Sequence, residues 1–348
     1  MKISKSQINN FVFYISYTLI LMSVMFYYVN GINKVLNILS DFAIAVLIFN
    51  FAIQAKKYKK KEIFILFLLI ILSILVTFFS KEKQIMRLVL LICTAISIDF
   101  KKFVKYDFKV KIIFAAIIIT CYYLGLTEVY YMYREDGTIR SSMGFSHPNV
   151  FGGFIFSIIC DYIFLRAKKL NILDVIIIVS SSFIVSYFSD SRTSQICIIL
   201  VLIGAIFVKF DKMKILDCKV MKIFIRNSFF IFAIMSFLLA YLYSQNNPIV
   251  INLNEKFSGR ISFISRFFEE YDIHLFGQEI EIVGTVLSQK TGKAAWILDN
   301  AYSMILLRYG LITFLLMGYA LNKFFRYAYK ENKYILIIML IFLILRDC

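Results

Sequence analysis

Residues 56–79 read KKYKKKEIFILFLLIILSILVTFF. Five lysines stand in the first six positions, and from Ile63 to Phe79 no residue carries a charge. Seventeen residues wound as a helix rise about 26 Å, close to the thickness of a bilayer's hydrocarbon core. The lysine run ahead of the apolar stretch marks its cytoplasmic end, because short basic loops stay inside. A lysine-flanked membrane span is therefore the unit from which this chain is built.

Working outward, similar apolar runs fall near 11–29, 35–54, 85–99, 110–126, 149–165, 172–188, 194–208, 223–243, 298–321 and 334–345. With 63–79 that predicts about eleven transmembrane helices, an all-α integral membrane protein with its N-terminus inside. The chain has 348 residues, 60% of them hydrophobic, with a mean hydropathy of +0.78. A soluble domain of that size cannot bury so much apolar surface. The first run is too long, and lacks the small-residue cleavage site, to be a removable signal peptide. The expectation is one polytopic domain over 1–348: N-terminal helices in 1–126, a core in 127–321 and a last span in 322–348.

The formal net charge is +17, but its distribution argues against nucleic acid as a partner. With the N-terminus inside, 25 of the 39 basic residues fall on inner segments, so the excess reads as a topology signal facing anionic membrane lipid. Of those 25, only Arg166, Arg226 and Arg326 are arginine. The outer ends hold Arg87, Arg134, Arg140, Arg192, Arg260, Arg266, Arg308 and Arg346. Lysine suffices as diffuse charge, whereas the guanidinium fork grips phosphate in bidentate fashion. The outer face is equipped to hold an anion.

The six cysteines are scattered, mostly within spans, and read as small packing residues. HExxH, a P-loop and a strand-associated GxGxxG are all missing from the sequence, so no cofactor or metal is expected. Neither internal repeats nor paired interrupted helices are legible, which disfavours a transporter.

Scarce polar chemistry gathers at three outer clusters, two of them in the long segments 127–148 and 244–297. RSSMGFSHPNVFGGF (140–154) places Arg140 and His147 beside Pro148, which suits the first turn of a helix. YFSDSRTSQ (187–195) places Arg192 in the first turn of the eighth helix, with Asp190 or Ser191 as its cap. In 257–268, Phe257, Ile261, Ile264 and Phe268 recur at helical spacing, with Arg260 bordering the stripe and Arg266 opposite. Beyond it, Asp299 stands at the outer start of the tenth span, where helix capping is the competing role. Arg308 lies about 13 Å further along that helix and about 180° around it, so the two cannot pair. Asp41 is a candidate partner for Arg308. Glu279, Glu281 and His274 are weak candidates for a divalent ion.

At these clusters the chain resembles the bacterial O-antigen polymerase and ligase superfamily, and within it the Wzy-type polysaccharide polymerases. The residues that carry the resemblance are R-x3-GF-x-HPN-x2-G at 140–152, SRT at 191–193, GR at 259–260, HLFG at 274–277 and DN-x-Y-x6-YG at 299–310. The likeness covers mainly 140–321.

The resemblance implies a GT-C-like helical bundle in the bacterial cytoplasmic membrane. It also implies inverting glycosyl transfer at the outer face, in capsule, exopolysaccharide or O-antigen assembly. Donor and acceptor would be undecaprenyl-diphosphate-linked oligosaccharides. The flippase and chain-length regulator of the same pathway are candidate partners. The leaving diphosphate calls for positive charge, expected from Arg192 and Arg260 converging on one cavity, then from Arg140 and Arg308. The acceptor hydroxyl calls for a base. In the ligase branch a histidine commonly precedes the asparagine of the last motif; here that residue is Asp299, which becomes the candidate base, with His147 as alternative. A polysaccharide ligase and a flippase of lipid-linked sugars are the competing functions.

Overall fold

The computed structural model describes residues 5–346 except 28, 30, 128–130, 134–136, 211–212, 258, 285–287, 289–290 and 294–295. Arg134 falls outside the described residues. Each apolar stretch read from the sequence is helical over most of its length: α1 Lys5–Met25, α2 Asn33–Gln54, α3 Lys60–Ser80, α4 Gln84–Thr94 and α5 Phe100–Tyr123. There follow α6 Pro148–Arg166, α7 Ile172–Ser189, α8 Arg192–Lys209, α9 Lys219–Arg226, α10 Ser228–Ser244, α11 Pro248–Lys256 and α12 Arg260–Glu270. The last two are α13 Ala301–Lys330 and α14 Tyr334–Arg346. The chain is a mostly helical, multi-pass membrane protein.

Among the described residues, seven helices are long and apolar enough to cross a bilayer, or eight if α9 and α10 count as one bent span. The other three stretches fall short for physical reasons. Helices α4 and α14 have 11 and 13 residues, too few to cross alone. Helix α5 carries Lys101, Lys102, Lys105, Asp107, Lys109 and Lys111 in its first half. Lys111 is buried there, its Nζ 2.6 Å from Asp107 and 2.8 Å from Asp161 of α6. Tyr17 of α1 donates a hydrogen bond to the same Asp107. Charges this deep persist only when paired, and this group ties α1, α5 and α6 together.

The chain forms two compact units, residues 1–71 with 86–209, and residues 72–85 with 210–348. In the first, α5, α7 and α8 pack on α6. Helix α7 begins with a capping box: Asn171 accepts from Asp174 N at 2.9 Å, and Asp174 from Asn171 N at 2.8 Å. The segment before α6 holds a short hairpin, β1 Tyr131–Tyr133 with β2 Ile139–Ser141, Met132 opposite Arg140. No periodicity announced it, since three residues per strand are too few to alternate visibly.

In the second unit, α10 packs on α12 and α13. The stripe on α12 faces the protein interior. Ile261, Ile264 and Phe267 are buried, and Phe268 stacks edge-on against Phe237 of α10. Phe257 falls outside the helix and is exposed.

Two helices expected to run straight are interrupted, contrary to the sequence reading. Helices α9 and α10 meet at 66°, and α13 breaks at Gly310, whose φ and ψ are 89° and 164°. A single glycine inside an apolar run has no local signal that separates a tolerated residue from a break.

Candidate functional site

In the first unit the first two outer clusters meet. Helix α6 starts at Pro148, as its missing N–H favours, and His147 is the N-cap. His147 Nδ1 accepts from Asn149 N at 3.0 Å. A neutral ring with Nδ1 so engaged carries its proton on Nε2.

Arg140 leaves β2 to donate through Nε to the Ser189 carbonyl at 2.8 Å, and through Nη2 to Asn149 Oδ1 at 2.6 Å. Its fork thus fastens the hairpin to the end of α7 and the start of α6. Gly152 brings α6 against the entry of α8: a Cβ there would lie 2.6 Å from Ser191 Cβ and 2.8 Å from its Oγ. Ser191 in turn donates to Ser194 Oγ at 3.1 Å. Asp190 closes α7 in the left-handed conformation, and Arg192 opens α8. The Arg192 side chain is 62% exposed and lies 3.6 Å from Asp190 Oδ1. At that distance and exposure the pair is weak.

In the second unit the HLFG segment meets the YG end of the last motif at the break in α13. A broken helix leaves carbonyls and amides without their helical partners. Here residues 274–278 supply them. Gln278 N donates to the Arg308 carbonyl at 3.1 Å, Leu311 N to that of His274 at 2.9 Å, and Ile312 N to that of Leu275 at 3.2 Å. Gly277 and Gly310 both have positive φ; a Cβ on Gly310 would meet Gly277 N, and one on Gly277 would meet the Arg308 carbonyl. HLFG and YG are two halves of one backbone clasp.

Arg308 completes it. Its Nη2 donates to the Ile280 carbonyl at 2.7 Å, and Nη1 lies 3.4 Å from Glu82, with 14% of the side chain exposed. Glu82, and not Asp41, is its carboxylate partner. Asp41 is exposed on α2 of the other unit. Next to it, Tyr309 donates to Gln84 at 2.9 Å.

The start of α13 separates two roles that the sequence assigned to one residue. The N-cap is Asn300, not Asp299: its Oδ1 accepts from Ser303 N at 2.9 Å and from Ser303 Oγ at 3.0 Å. Its Nδ2 donates to Ser236 at 2.9 Å. Asn300 is buried, and an amide can satisfy donor and acceptor sites there without burying a charge. Asp299 is exposed and makes no hydrogen bond or ion pair among the described residues. Capping does not account for it.

Arg260 opens α12 behind Gly259, itself at φ +78°. It is half-buried, and its guanidinium has no partner among the described residues. Arg266 is exposed on the far side of the helix. Between α10 and α12 lies a groove of about 400 Å³, walled by Phe237, Tyr241, Phe268, Ile273 and Leu306, with Glu269 at its edge. Glu279, Glu281 and His274 are exposed, and no cluster of three metal-binding side chains occurs among the described residues. Arg192 belongs to the first unit, and Arg260, Arg308 and Asp299 to the second.

No family model, curated protein or solved structure matches this chain.

Proposed function

We propose that this protein polymerises undecaprenyl-diphosphate-linked oligosaccharide repeat units. It would be a membrane glycosyltransferase of capsule, exopolysaccharide or O-antigen assembly. Its spans would form a GT-C-like bundle in the bacterial cytoplasmic membrane, with the N-terminus inside and the site outside. The acceptor hydroxyl attacks the anomeric carbon of the growing chain, its proton passing to Asp299. The bond to the diphosphate breaks with inversion, and the lipid diphosphate leaves with the electron pair. Within the second unit Arg260 is assigned to the diphosphate, because its guanidinium has no protein partner among the described residues. Arg192 is the corresponding candidate of the first unit. Arg140 and Arg308 are assigned to holding the scaffold, since both donate to main-chain carbonyls. The apolar groove beside α12 suits a prenyl tail.

What carries this reading is the meeting of the motif pieces. The 140–152 segment contacts Ser191 of SRT, and HLFG packs against the YG of the last motif while bonding Leu311 and Ile312 directly after it. A flippase of lipid-linked sugars is the second reading, favoured by the two interrupted helices. Against it, the amides of Leu311 and Ile312 and the Arg308 carbonyl are taken up by hydrogen bonds to residues 274–278. Deleting the gene and locating the lipid-linked repeats separates the two. A lost polymerase leaves single repeats on the outer face, and a lost flippase leaves them inside.

A further inference from the structure

Helix α9, KVMKIFIR, is a short amphipathic helix set at 66° to the span that follows it. At 100° per residue its side chains sort into three sectors. Met221 and Ile225 point into the protein: Ile225 is 2% exposed and clusters with Phe325, Ala328 and Ile337. Val220, Ile223 and Phe224 form a second sector, apolar yet 75%, 50% and 41% exposed. Lys219, Lys222 and Arg226 form the third, adjoining the apolar one at Ile223.

The cations do not stand alone. Asn322 of α13 donates to the Arg226 carbonyl and to Asn227 Oδ1, both at 3.0 Å, which brings the basic end of α13 alongside. Lys323, Arg326 and Lys330 lie on that end, while the acidic residues nearby in sequence are Asp217 and Glu331. Asp217 is already paired with Lys222 at 2.9 Å. Arg226 Nε is buried and has no acceptor among the described residues.

We infer that α9 is an in-plane helix that holds an anionic glycerophospholipid. The phosphodiester sits against Arg226 and Lys219, and the acyl chains run along Val220, Ile223 and Phe224. The exposed apolar sector needs hydrocarbon and the adjoining sector needs an anion, and one lipid supplies both in that geometry. Helix α10 enters the bilayer directly after the bend, which sets α9 at headgroup level. The site is independent of the reaction carried out on the outer face.

The full-length protein, purified in micelles doped with equal phosphatidylglycerol and phosphatidylcholine, tests this by native mass spectrometry of retained lipid. Wild type should retain phosphatidylglycerol in preference. Lys219→Gln with Arg226→Gln should lose that preference by about fivefold for each cation removed. Removing Lys101, Lys102 and Lys105 from α5 should leave it unchanged. Lys219→Gln alone, fully exposed and structurally neutral, should give the single fivefold step even if the double variant folds poorly. Equal retention of both lipids by wild type, or an equal loss from the α5 variant, would overturn the inference.

Discussion

Gly277 and Gly310 meet backbone to backbone. A Cβ on Gly310 would stand 2.3 Å from Gly277 N, and one on Gly277 would stand 2.0 Å from the Arg308 carbonyl oxygen. The first glycine belongs to a segment with no helix of its own, the second to the middle of a long apolar helix. Counting back from Lys323, Gly310 lies about 20 Å along α13, less than the roughly 30 Å thickness of a hydrocarbon core. Irregular backbone is tolerated there because the Arg308 carbonyl and the amides of Leu311 and Ile312 find partners in residues 274–278.

Gly310→Ala should therefore cost about 3 kcal/mol or more, since left-handed strain and steric overlap add. Gly125 has a similar φ of +69° with nothing within 4 Å of its Cβ, so Gly125→Ala should cost only about 1 kcal/mol. Thermal unfolding in detergent compares the two. Equal costs would mean that the contact between the glycines contributes little.

Gly152→Ala should push α6 away from the start of α8, at about 1–3 kcal/mol. The clash is with Ser191, so adding Ser191→Gly in the same chain should recover most of the loss. A double variant no better than the product of its singles would place the damage elsewhere.

Arg308→Gln should lower stability by about 2 kcal/mol, mostly through loss of the charged bond to the Ile280 carbonyl. Glu82 is 38% exposed and its pairing distance is 3.4 Å, so Glu82→Gln should change stability by only a few tenths of that. Limited proteolysis of 271–283 reads the same ranking: cleavage should quicken in Arg308→Gln and stay near wild type in Glu82→Gln.

How much of this was legible follows from range. Hydropathy and cap chemistry act within a few residues, so the apolar helices, the start of α6 at Pro148 and the entry of Arg192 into α8 could be read directly. The partner of Arg308 could not, because Glu82 is remote in sequence and any outer carboxylate fits equally well. Asp299 and Asn300 differ in burial, which a sequence does not display, so capping and catalysis compete at Asp299 until the structure gives the cap to Asn300. The clasp left one trace, glycines in both HLFG and YG, but nothing local pairs one with the other. The 66° bend before α10 sits at Asn227, where neither proline nor glycine marks it.

The topology is open to direct test. After replacement of the native cysteines, Glu270→Cys should react with an impermeant thiol reagent on whole cells and Lys60→Cys should not. Both side chains are exposed, so reactivity reports the side of the membrane. The reverse pattern would put the arginine-rich ends inside and remove the proposed site.

The most direct test of the proposed function uses the purified protein with undecaprenyl-diphosphate-linked repeat units and no nucleotide sugar. Wild type should build a ladder of longer lipid-linked products. Asp299→Asn should slow it by about 10²-fold or more at unchanged melting temperature, because the helix cap is Asn300 and only a proton acceptor is lost. Near-normal ladders from Asp299→Asn would remove Asp299 from the chemistry. No ladder from well-folded wild type given its own repeat unit would contradict the polymerase itself.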